Sequence, residues 1–138
     1  MSFENTFDAS YERILHKKIA GKSFFDTFYD NFMSSSKEVR ERFKNTDMAR
    51  QKRMLKKSFY SLFIFYASSN ADDYLVKIAT HHNSQNLNIR PELYDIWLDT
   101  LVKTVETFDH EFSKNVELAW RLVLAPGITY MKFKHTNL

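Results

Sequence analysis

The sequence contains no cysteine, which removes disulfides, thiolate metal centres and a cysteine nucleophile from consideration. Glycine and proline are nearly absent, with only Gly21, Gly127, Pro91 and Pro126. So few turn formers argue against a sheet protein rich in tight hairpins and favour a few long helices. No apolar run reaches the roughly twenty residues that a bilayer crossing requires. The first ten residues are polar and acidic, without the basic flank and apolar stretch of a secretion signal. A cytoplasmic chain with no membrane contact is the expectation. The excess of one charge sign is small too: a net charge of +3 selects no partner by itself.

Aromatic residues, by contrast, are plentiful. They make up 16% of the chain, with thirteen phenylalanines, and suit a core built around something large as well as an ordinary aromatic core. Hydrophobic residues at 43% against 27% charged give the balance of a globular chain, and 138 residues suffice for one domain (1–138) with a real core.

Apolar residues recur at helical spacing almost throughout. Phe7, Tyr11, Ile14 and Leu15 mark a first helix, broken at Ala20-Gly21-Lys22. Ser23 with Asp26 reads as the start of a second, which carries Phe25, Phe28, Tyr29 and Phe32 on one face. A short helical piece, 37–43, leads to a polar loop. A long helix over 48–68 places Leu55, Phe59, Leu62, Phe63 and Tyr66 together. A short helix runs from 73 to about 84, then a polar connector reaches Pro91, a good first-turn residue for the next helix. The final helix begins near Lys114 and turns Trp120, Val123, Leu124, Ile128 and Met131 inward, with a kink expected at Pro126. About seven helices in an all-α fold follow.

His81-His82 is the first feature with chemical potential. Neighbours on a helix point about 100° apart, so the pair is not a bidentate site. His82 shares a face with Ile78, four residues earlier, whereas His81 leans outward. Tyr29 interrupts a stripe of phenylalanines, where a buried hydroxyl needs a partner. Gln51 looks the same way as Leu55, and Phe43 closes the short helix. Taken singly, each is more often structural than functional.

Together they resemble the globin family, specifically single-domain bacterial globins and the heme domains of flavohemoglobins. Phe28-Tyr29-Asp30 is similar to the family's second helix, in which a tyrosine overhangs the distal side. Glu38-Val39-Arg40-Glu41-Arg42-Phe43 matches the element that ends in a heme-stacking phenylalanine. Gln51-Lys52-Arg53-Met54-Leu55 resembles the distal helix. Ile78-Ala79-Thr80-His81-His82 resembles the proximal one, and Pro91-Glu92-Leu93-Tyr94 resembles the Pro-Glu-x-Tyr opening of the helix that follows. Two departures stand out. The stretch from His82 to Pro91 is about two residues longer than in flavohemoglobins, which leaves His81 as the fallback ligand. The segment 130–135 lacks the glutamate that flavohemoglobins place there.

The resemblance implies heme b (iron protoporphyrin IX) with His82 as the iron ligand. A backbone carbonyl or Tyr94 would support the imidazole, and Phe43 and Leu55 would pack around the group. Tyr29 and Gln51 would be distal donors to O₂, NO or CO. Two donors imply slow release of O₂, which suits binding and storage, or nitric oxide detoxification, better than delivery. No flavin or nicotinamide domain fits within 138 residues, so such turnover implies an external reductase. A gas sensor or interaction module acting on a partner in trans is the alternative. The cluster Arg50, Lys52, Arg53, Lys56 and Lys57 lacks interleaved aromatics at nucleotide spacing, so nucleic acid is not the expected partner.

Overall fold

The computed structural model describes residues 2–137. Among them seven helices follow one another: α1 (Phe3–Leu15), α2 (Phe24–Ser35), α3 (Lys37–Arg42), α4 (Met48–Ser68), α5 (Asp73–His82), α6 (Pro91–Phe108) and α7 (Lys114–Phe133). Most begin where a short polar side chain can satisfy a free backbone N–H. Ser2, Ser36, Asp47, Asp72 and Ser113 each accept from the N–H three residues on. Ser23 and Asp26 form a reciprocal capping box, as their spacing predicts. Pro91 opens α6.

Local structure departs from the sequence reading after α1. The break there is a small antiparallel hairpin, Lys18–Ile19 (β1) against Lys22–Ser23 (β2). Ala20 and Gly21 both take positive φ, 52° and 77°, as a type I′ turn requires, and an alanine there gives no signal for such a turn. α7 runs through Pro126 as one helix.

The core is densest where α1, α2, α6 and α7 meet. Trp120 is fully buried and packs its ring 4.5 Å from Phe7 and 6.4 Å from Phe24, centroid to centroid. Phe24 in turn meets Phe108 edge-on at 5.8 Å. α4 lies along α7, and α5 packs on both. Their approach is close at Gly127, where a Cβ would fall 2.2 Å from a Leu62 methyl.

One polar cluster sits inside this apolar region. The Asp109 carboxylate, with no exposed side-chain surface, accepts from Arg13 at 2.6 and 2.9 Å and from Ser10 at 2.6 Å. Ser10 Oγ accepts from the Trp120 indole at 2.9 Å. The cluster joins α1, the α6–α7 turn and α7, and no buried polar side-chain atom among the described residues lacks a partner. Burial alone pushes the Asp109 carboxyl up. The Arg13 and Ser10 bonds and the Glu111 N–H outweigh it and hold the group below its ordinary value of 3.8.

Asp109→Ala would leave Arg13 with only the exposed Glu111, 3.7 Å away, as counter-ion and is expected to cost about 3 kcal/mol of unfolding free energy in a urea titration. The carboxylate's contribution is present above its unfolded pKa of 3.8 and is lost as pH falls through its lower folded value, because the unfolded chain binds the proton first. Acid unfolding of Asp109→Asn should therefore be less steep than that of the parent. An unchanged acid limb would remove this cluster from the pH dependence of stability.

Candidate functional site

Away from the dense end, α2, α4, α5 and α6 diverge and enclose a cavity of about 370 Å³, within the roughly 300–1,000 Å³ typical of small-molecule sites. Its walls are mainly apolar: Phe32, Leu55, Leu62, Leu75, Ile78 and Trp97 contribute, with Ile128 and Met131 from α7. All six side chains singled out from the sequence line it: Tyr29, Phe43, Gln51, Leu55, His82 and Tyr94. They come from α2, the end of α3, α4, α5 and α6, so only the tertiary fold brings them together.

The α5–α6 side carries the histidines. His82 is mostly buried, and its Nδ1 lies 3.2 Å from the Tyr94 hydroxyl. When Nδ1 carries the ring proton it donates to Tyr94, and Nε2 keeps a free lone pair. Nε2 has no hydrogen-bond partner among the described residues, and it is not sealed away from the cavity. Burial, reinforced by His81 and by Arg42, pushes the imidazole down to about 4, so it is neutral at physiological pH. His81 also touches the cavity but is exposed, as the 100° offset predicts.

The connector after α5 has its own architecture. Ile89 N–H donates to the His82 carbonyl at 2.9 Å, and Asn88 N–H to the Asn83 carbonyl at 2.8 Å. Arg42, from α3, donates to the carbonyls of Leu87 and Asn88, the latter at 2.9 Å. His135 meets the Asn88 side chain at 2.7 Å. His82, not His81, faces Tyr94.

Across α2 and α4, Tyr29 is only 2% exposed and its hydroxyl accepts from the Gln51 amide at 3.3 Å. The phenolic hydrogen is left over for another acceptor. Burial raises the phenol to about 12, with the Gln51 bond opposing it, so Tyr29 stays protonated. Burial raises Tyr94 as well. The Phe43 ring stands edge-on to Tyr29, with centroids 5.6 Å apart. The arrangement offers one unprotonated imidazole nitrogen, the spare hydroxyl hydrogen of Tyr29 and flat apolar walls.

No described protein family and no curated protein matches the sequence. A solved structure does. The chain superposes with a TM-score of 0.88 and 34% identity on a Pseudomonas aeruginosa PAO1 protein described as structurally highly homologous to a human hemoglobin, covering 97% of this chain and 98% of that one. The chain belongs to the globin family.

In this globin, reading from sequence missed several cavity residues. Met54, Ser58 and Tyr74 line it from α4 and α5, and Thr46 and Leu87 from loops. Trp97 lines it from α6. Arg42 carried no separate signal, because its role depends on a loop 45 residues away in sequence. Tyr74 had a local cue, its place one turn before Ile78 on the face shared with His82, but nothing in one helix shows which neighbour that face meets.

Proposed function

We propose that this globin binds heme b (iron protoporphyrin IX) in the cavity, with His82 as the iron ligand, and takes up O₂, as well as NO or CO, beside Tyr29 and Gln51. The observation that carries the reading is the unpartnered Nε2 of a neutral, mostly buried histidine on the wall of an apolar cavity. The residues fit such a group: a flat macrocycle asks for broad apolar walls, and its metal asks for a neutral imidazole. Kinship to single-domain bacterial globins and flavohemoglobin heme domains is the finer form of the reading and rests on the sequence motifs. Heme, when bound, supplies an iron that holds a diatomic gas reversibly.

The chain's own groups do the rest. In the tautomer that would ligate iron through Nε2, Nδ1 carries the ring proton and donates to the Tyr94 hydroxyl, which fixes the ring plane. Phe43 offers a flat face for stacking, and Leu55, 5% exposed, limits water. Gln51 donates to Tyr29, so the phenolic hydrogen is oriented toward the cavity and ready for a partially negative ligand. Such a donor in a dry site slows ligand escape. This favours O₂ storage, or nitric oxide removal supported by an external reductase, over delivery.

The purified or reconstituted protein should show a strong Soret band that shifts under CO. His82→Ala should abolish or alter it and His81→Ala should leave it in place. Failure to take up heme after reconstitution would overturn the reading. Tyr29→Phe should raise the O₂ off-rate by about tenfold, the equivalent of one hydrogen bond of about 1.4 kcal/mol, and more than Gln51→Ala does. Equal, small changes in flash photolysis would remove Tyr29 from its assigned place. Tyr94→Phe should weaken heme retention about 10–100-fold, read as faster transfer to a heme-scavenging apoprotein. Unchanged transfer would assign Tyr94 to packing alone.

A further inference from the structure

We propose that the outward face of α4 docks a small acidic electron-carrier protein that reduces the iron held in the cavity; the inference rests on the heme reading above. α4 carries Arg50, Lys52, Arg53, Lys56 and Lys57 within eight residues and no carboxylate anywhere along 48–68. Over residues 37–57 nine cations stand against three carboxylates, a net +6 in a chain whose total is +3, so the remaining residues together are net negative. Leu55 and Phe59 turn into the core. At 100° per residue Arg50, Arg53, Lys57 and Tyr60 then form one outward stripe, with Lys56 beside it. Tyr60 is 68% exposed.

This stripe works against the helix that carries it. Cations near a helix N-terminus oppose the macrodipole. Arg50 with Arg53, Lys52 with Lys56, and Arg53 with Lys57 are like-charged neighbours at three- and four-residue spacing, which repel. Little inside the chain offsets this. Lys52 reaches Asp26 at 2.7 Å, and Lys57 lies 4.4 Å from the centre of the Tyr74 ring. Arg50, Arg53 and Lys56 pair with no carboxylate among the described residues, so their charge is left for something outside the chain.

Position and size point to the partner. Met54, 37% exposed, and Tyr74 both line the cavity, and the Tyr74 hydroxyl donates to the Met54 carbonyl at 3.3 Å with Lys57 over the ring. A protein seated on the stripe therefore stands at the rim of the cavity. From Arg50 to Tyr60 the stripe runs about 15 Å. That is the scale of the small, brief contacts that electron carriers make, in which opposite charge sets the encounter rate. One electron passes from the reduced carrier to ferric iron, leaving ferrous iron and the oxidised carrier, and no bond forms or breaks.

The test mixes the ferric, heme-loaded protein under CO with reduced acidic [2Fe–2S] ferredoxin and follows the Soret shift. The second-order rate constant is expected to fall about tenfold between about 10 mM and about 300 mM salt. Arg50→Glu with Arg53→Glu should lower it about tenfold at low salt, while reduction by methyl viologen radical does not slow. Glutamate near the start of α4 suits the macrodipole, so the variant's urea midpoint should not drop, which separates lost docking from lost fold. A salt-independent rate, or a variant that ferredoxin reduces as fast as the parent, would overturn the proposal. So would duplex DNA bound by the parent and not by the variant with ferredoxin reduction equal in the two, an outcome that would give the stripe to phosphate. A parent that takes up no heme would instead overturn the heme reading, and this proposal with it.

Discussion

The constraint on which this structure depends is that one end of the helix bundle is filled and the other is not. At the filled end Trp120, Phe7, Phe24 and Phe108 pack ring on ring, and the Asp109–Arg13–Ser10 cluster ties the first helix to the last two. At the other end α2, α4, α5 and α6 must stand apart and leave apolar walls facing a cavity, an arrangement that forgoes close packing. The dense end supplies the stability that lets the open end exist. α5 shows the cost. It packs mainly on α4 and α7, and its C-terminal turn is held largely by hydrogen bonds of the connector to Arg42 and His135.

Much of this was legible in the sequence because helices announce themselves through periodicity and breaks. The span 48–68 was readable to the residue, since Asp47 and the polar run after Ser68 bracket a continuous apolar stripe. Ser23 with Asp26, and Pro91, marked two more helix starts. What escaped was non-local or conformational. Ser10 and Asp109 lie 99 residues apart, and no pattern in either segment points to the other. The hairpin at Ala20-Gly21 depends on a left-handed alanine, and the end of α5 at His82 instead of near residue 84 depends on backbone bonds made by the connector.

The site was legible in a different way. Tyr29, Phe43, Gln51, Leu55, His82 and Tyr94 are each ambiguous alone, and only their order along the chain, matched to a family resemblance, gathered them. The fold brings all six to one cavity. His82 against His81 was the one choice that elementary geometry bore on directly. A 100° turn separates the two rings, so whichever faces Tyr94 excludes the other from that role. The connector decides which: the Ile89 N–H on the His82 carbonyl fixes the last turn of α5 against the loop that follows.

The same burial that makes the cavity sets what it can do. Low polarity pushes a phenol up and an imidazole down, and both movements favour the neutral form. Tyr29, at about 12, keeps its proton, and His82, at about 4, stays without a second one. Neither changes state near neutral pH. General acid–base catalysis needs the reverse, a group whose pKa lies close to the working pH so that it can give and take a proton. Arg42, the one permanently charged side chain on the walls among the described residues, directs its guanidinium to the connector carbonyls. With heme in the cavity as proposed, these walls would suit an uncharged diatomic ligand, held by hydrogen bonds from fixed, neutral donors. That demand, more than any single residue, accounts for an amide and a phenol on one side and a partnered imidazole on the other.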